Sequence, residues 1–160
     1  MDIFEYALQM ERDGENFYRK IAEKTDNTGL KTIVTMLADE EVKHYQAIEK
    51  MKQGPYEMAE TNILDDAKNI FVQMKETSEE FDSDLEQTEL YKKAQEIEKQ
   101  SQRFYLSKAG QLKNENQKRL FKQLAEEEEK HYFLLENIID LVSRPQQWLE
   151  NAEWYHLEEY

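Results

Sequence analysis

Sliding the chain along itself by 87 residues lays residues 7–51 over residues 94–138 without a gap, and 15 of the 45 positions are identical. Glu11 falls on Glu98, Phe17-Tyr18 on Phe104-Tyr105, Glu41 on Glu128, Lys43 on Lys130, and His44-Tyr45 on His131-Tyr132. Two amphipathic segments share apolar positions by chance. They seldom share two of the three histidines, each with its glutamate. The repeat therefore requires two copies of one structural unit, each presenting the same chemistry.

The unit reads as a helical hairpin. Over residues 3–24, Ile3, Ala7, Met10, Gly14, Phe17, Tyr18 and Ile21 recur at helical spacing. Asp26-Asn27-Thr28-Gly29 signals a turn, and Gly54-Pro55 stops the helix that runs from about Leu30 to Met51. The second copy predicts helices over 85–112 and 117–142, with Pro145 ending the pattern. Residues 55–84 are a long crossover that carries a short helix near Leu64–Met74. With only four glycines and two prolines in 160 residues, the chain lacks the turns a sheet protein needs. An all-α architecture is expected: a four-helix bundle of two hairpins packed face to face, over residues 1–144. Residues 145–160 form an aromatic, acidic tail.

Glu41-Val42-Lys43-His44 and Glu128-Glu129-Lys130-His131 are both Glu-x-x-His. Residues three apart share a helix face, so the carboxylate and imidazole of each motif converge. One copy in so glutamate-rich a chain means little; two at matched repeat positions mean more. Counted from Asn27, Glu11 lies 16 residues before the turn, and Glu41 and His44 lie 14 and 17 after it. In an antiparallel hairpin both then sit within about 3 Å of the height of Glu11. Asn114 gives the same spacing for Glu98, Glu128 and His131. Each hairpin thus places its trio at mid-bundle, where the trios meet even with one hairpin inverted. Unpaired buried carboxylates cost several kcal/mol each. Two divalent cations would neutralise the four glutamates, with imidazoles completing the set. Glutamate and histidine without cysteine suit iron or manganese, and zinc also fits. Solvated charges on a wet helix face explain either motif alone; six such residues together favour metal.

Composition narrows the partners. A net charge of −14 disfavours nucleic acid, which needs clustered Lys and Arg. The absence of cysteine excludes disulfides, iron–sulfur clusters and thiolate sites. No apolar run approaches a membrane span, and Met1-Asp2-Ile3-Phe4-Glu5 does not read as a signal peptide, so a cytoplasmic location is the expectation.

The phrases Ala7-Leu-Gln-Met-Glu11-Arg-Asp-Gly14-Glu-Asn-Phe17-Tyr18 and Ala38-Asp-Glu-Glu41-Val-Lys-His44, repeated at Ala94–Tyr105 and Ala125–His131, resemble the ferritin-like superfamily, and most closely its rubrerythrin branch. The resemblance spans about residues 3–142. It implies a ferritin-like bundle holding two iron ions per chain. Glu11 and Glu98 would be terminal ligands, Glu41 and Glu128 would bridge, and His44 and His131 would each ligate one ion. Glu40 and Glu127 would bond the far nitrogen of the opposite hairpin's histidine, fixing its tautomer; as plain surface charges they need no such role. Two features depart from rubrerythrins proper. This sequence has no cysteine-bound rubredoxin iron, and Ser101 stands where they carry an extra glutamate for the oxidised site.

Tyr18 and Tyr105 lie two turns beyond Glu11 and Glu98. As candidate catalytic residues they bond a ligand carboxylate or supply an electron to an oxidised site; as core aromatics with satisfied hydroxyls they need neither role. Met10, Met36, Met51, Met58 and Met74 read as core filler. His156 reads as a surface or packing residue. Trp148, Trp154 and Tyr155 are expected to dock on the bundle or on a second subunit in a homodimer. The function expected from the resemblance is reduction of hydrogen peroxide or dioxygen at a binuclear iron site with an external electron donor. Ferroxidase or storage chemistry in a closed shell, and a metal-free helical interaction module, are the alternatives.

Overall fold

The computed structural model describes residues 2–76, 85–145 and 148. Five helices lie among them: α1 (Ile3–Lys24), α2 (Thr28–Gln53), α3 (Ile63–Glu76), α4 (Leu85–Ala109) and α5 (Glu115–Ser143), with no strand among the described residues. The bundle is the ferritin-like arrangement that the repeat and the resemblance predict. None of these helices is long and apolar enough to cross a membrane.

Side-chain caps set the hairpin turns. Asn27 Oδ1 accepts the Leu30 amide at 2.9 Å, and its repeat counterpart Asn114 accepts the amides of Asn116 and Gln117. Each cap satisfies amides that have no partner inside the helix. Helix α2 therefore starts at Thr28 and α5 at Glu115, each two residues earlier than apolar periodicity suggests. Helix α4 stops at Ala109, a turn short of the expected end, where Gly110 begins the turn. The short crossover helix extends one residue further at its start and two at its end than expected.

The hairpins pack in opposite directions. One apolar cluster joins Ile21 at the end of α1, Leu30 and Ile33 early in α2, Tyr91 early in α4 and Ile138 late in α5. The other joins Ala7 early in α1, Met51 late in α2, Ala109 at the end of α4 and Leu120 early in α5. The second hairpin is thus inverted against the first. Helix α3 seals the first cluster through Ala67 and Phe71, and it approaches α2 so closely that a Cβ on Gly29 would stand 2.7 Å from Met74 Cγ. Trp148 docks on this end, its ring edge-on to Phe71 at 5.0 Å. The expectations for Trp154, Tyr155 and His156 fall outside the described residues. Burial of each large apolar side chain contributes about 1.5–3 kcal/mol, and the two clusters flank a middle layer that is polar.

Candidate metal centre

The middle layer contains all six residues singled out by the repeat. Glu11, Glu41, His44, Glu98, Glu128 and His131 are buried. They come one from α1, two from α2, one from α4 and two from α5, because matched spacing about the Asn27 and Asn114 turns puts them at one height. One donor atom from each of Glu11, Glu41, His44 and Glu128 lies within 4.8 Å of the others. The same is true of Glu41, Glu98, Glu128 and His131. The two groups share Glu41 and Glu128.

Each imidazole turns Nδ1 towards the carboxylates. His44 Nδ1 is 3.0 Å from Glu128 Oε1 and 3.3 Å from Glu11 Oε2. His131 Nδ1 is 3.4 Å from both Glu41 Oε1 and Glu98 Oε1. The rings lie almost parallel, 5.5 Å apart between centroids.

Tyr18 and Tyr105 reach this layer, each across the hairpin interface. The Tyr18 hydroxyl donates to Glu98 Oε1 and the Tyr105 hydroxyl to Glu11 Oε1. Both tyrosines are raised well above the ordinary phenol range, by burial and by the glutamate each one faces. They are held as neutral donors. Outside the centre the repeat persists in cation–π pairs beside each histidine, Arg12 over Tyr45 at 4.8 Å and Lys99 over Tyr132 at 5.6 Å.

Protons divide unequally among the four carboxylates. Burial, then the charges of Glu11, Glu128 and Glu98, raise Glu41 well above its usual value. Burial, then Glu98 and Glu11, do the same to Glu128. Burial also pushes Glu11 up, but His44 with hydrogen bonds from Glu41, His44 and Tyr105 outweighs it and holds Glu11 low. Glu98 is balanced the same way by His131, Glu128 and Tyr18, and falls to about 2. Burial pushes the His44 imidazole down; the charge of Glu11 wins and raises it.

The residues fit a metal. Glu11 Oε2, Glu41 Oε1, Glu98 Oε2 and His131 Nδ1 are buried polar atoms with no hydrogen-bond partner, an arrangement that is costly unless a cation completes it. Gly14, the residue one turn past Glu11, leaves the space that Glu41 fills: a Cβ there would stand 3.1 Å from Glu41 Oε2. Its repeat counterpart is Ser101, which is buried. Oxygen and imidazole donors without thiolate suit iron, manganese or zinc.

The rubrerythrin family model matches residues 2–139. The chain belongs to the rubrerythrin family. No curated protein matches it. A solved structure of a hypothetical protein from Pyrococcus furiosus is similar at a TM-score of 0.63 and 24% identity, covering 88% of each chain, which shows the fold alone. The trios that the repeat marks come together in this layer. The exchange of tyrosine partners between hairpins, the space at Gly14 and the contact of Thr61 leave no signal in the sequence pattern. Glu127, expected to bond His44, is bonded to Thr61 at 2.6 Å and Lys130 at 3.1 Å. Nε2 of both histidines is buried without a hydrogen-bond partner. A contact between the crossover and α5 has no counterpart in the repeat and leaves no signal in spacing.

Proposed function

We propose that the chain is a di-iron carboxylate protein that reduces hydrogen peroxide or dioxygen. The observation that carries this reading is the pair of overlapping carboxylate–histidine groups with Glu41 and Glu128 common to both. Glu11 and His44 would hold one ion, Glu98 and His131 the other, and Glu41 and Glu128 would bridge. Two ferrous ions, when bound, supply the two electrons that a peroxide bond needs to break.

The remaining chemistry belongs to the protein. The apolar clusters on either side exclude bulk water from the layer. Tyr18 and Tyr105 orient the terminal glutamates, leaving one oxygen of each unbonded. The raised Glu41 and Glu128 carboxyls give up protons as cations replace them. Ser101 carries no carboxylate, so ligation rests on the six residues. Sustained turnover needs an external electron donor.

The test is metal analysis of protein purified without oxygen, then stopped-flow mixing of the ferrous-loaded protein with peroxide and, separately, with dioxygen. Two ions per chain and a single-turnover absorbance change are expected. A loaded protein inert to both oxidants would replace the redox function with a metal-carrying one.

A further inference from the structure

The six central residues repeat, but their surroundings do not. Glu40 and Glu127 hold matching places, each one residue before a Glu-x-x-His glutamate, and both are buried. Each has a lysine three residues on: Lys43 at 3.4 Å from Glu40 Oε1, Lys130 at 3.1 Å from Glu127 Oε1. Their second oxygens differ. Glu127 Oε2 accepts the Thr61 hydroxyl at 2.6 Å, whereas Glu40 Oε2 is buried with no hydrogen-bond partner. Thr61 is placed by the crossover between α2 and α3. One turn earlier along α5, Gln123 Nε2 donates to the Met58 carbonyl at 2.6 Å, so the crossover is fastened to α5 at two successive turns. An oxygen of Glu40 lies within 4.8 Å of a nitrogen of both His44 and His131. Both oxygens of Glu127 are already engaged.

An imidazole that binds a cation through one nitrogen carries a hydrogen on the other. An acceptor for that hydrogen strengthens the ligand, typically by about 10–100-fold in metal affinity. We propose that Thr61 is a positioning residue that makes the two metal positions unequal. By holding Glu127 it deprives His44 of a committed carboxylate partner, while the unengaged oxygen of Glu40 serves His131. The Glu98–His131 position is then the tight one and the Glu11–His44 position the weak one. Metal enters in two steps, although the ligands repeat. This inference rests on the binuclear reading given above.

Zinc titration followed by calorimetry tests it on the full chain, free of redox chemistry. The expected wild-type isotherm has two steps separated by about tenfold or more. Thr61→Val keeps the shape of the side chain but not its donor, releasing Glu127 towards His44, and should narrow the gap by strengthening the weak step. Thr61→Ser restores the hydroxyl and should restore the gap, which a merely structural role of the threonine methyl would not do. Glu40→Gln should weaken the tight step. Two equal steps in the wild type, or a gap unchanged in Thr61→Val with its helical circular dichroism intact, would overturn the proposal. Absence of any zinc binding would instead refute the binuclear reading and take this inference with it.

Discussion

Removing metal should make the stability of this protein fall as pH rises, contrary to the usual behaviour of salt-bridged carboxylates. In the folded, metal-free chain Glu41 and Glu128 are raised well above their ordinary value, by burial first and by neighbouring glutamates second. In the unfolded chain both titrate near 4.3. A raised folded value means stability is fully present below the unfolded value and is lost as pH rises towards the folded one. Across that window the folded state holds two protons that the unfolded state has released. Linkage converts two protons into at most about 2.7 kcal/mol lost per pH unit. His44, also raised, adds a third proton in its own range above about 6.5. Glu11 and Glu98 act in the opposite sense, but below the ordinary carboxylate range, with Glu98 at about 2. Their contribution is lost as pH falls below the ordinary carboxylate range, which favours acid unfolding and leaves the neutral window alone. Wherever both carboxyls stay protonated in the folded chain, a loss of that slope is a sizeable share of a domain stability of about 5–15 kcal/mol. The assay is urea unfolding of chelator-treated protein at pH 5, 6, 7 and 8, read by far-ultraviolet circular dichroism. The double variant Glu41→Gln, Glu128→Gln should flatten the profile and exceed the wild type at pH 8. Metal-free wild type that holds or gains stability over this range, or a double variant with the same slope, would refute the reasoning.

Glu41→Ala and Glu128→Ala should each reduce bound metal towards zero, because each carboxylate belongs to both donor groups, whereas Glu11→Ala should retain about half of it; elemental analysis distinguishes these outcomes. Gly14→Ala brings a methyl to 3.1 Å from Glu41 Oε2. Its helix-propensity gain of about 1 kcal/mol should roughly offset the crowding in metal-free protein, while metal content falls. Tyr18→Phe removes the hydrogen bond to Glu98 and should cost about 1–3 kcal/mol in unfolding experiments, with Tyr105→Phe matching it through Glu11.

The two hairpins and the central layer were legible because the repeat registers residue types, and spacing about Asn27 and Asn114 converts directly into height. Helix ends were legible only to within a few residues, since a capping asparagine extends a helix beyond its last apolar position. The tyrosine partners were hidden for a geometric reason. Tyr18 lies seven residues beyond Glu11, about 10.5 Å along the axis, out of reach of its own helix's glutamate. Tyr18 instead reaches Glu98 on α4, across the hairpin interface. Spacing within a helix cannot reveal this until the direction of the partner helix is known. Thr61 was hidden more completely, lying on the unrepeated crossover and contacting α5 across 66 positions of sequence.

The exchange of Tyr18 and Tyr105 between hairpins also bears on ancestry. Four contacts in the centre join one hairpin to the other as two swapped pairs: Tyr18 with Glu98 and Tyr105 with Glu11, His44 with Glu128 and His131 with Glu41. Such reciprocity is the signature of a twofold axis, the symmetry of a self-complementary dimer. A single free-standing hairpin with the shared residues would pair with its own copy and build the same cluster, with two indistinguishable halves. The crossover that joins the two hairpins is a segment that no twofold operation reproduces. The present molecule behaves geometrically as a covalently tethered dimer whose tether has become part of the structure beside the centre.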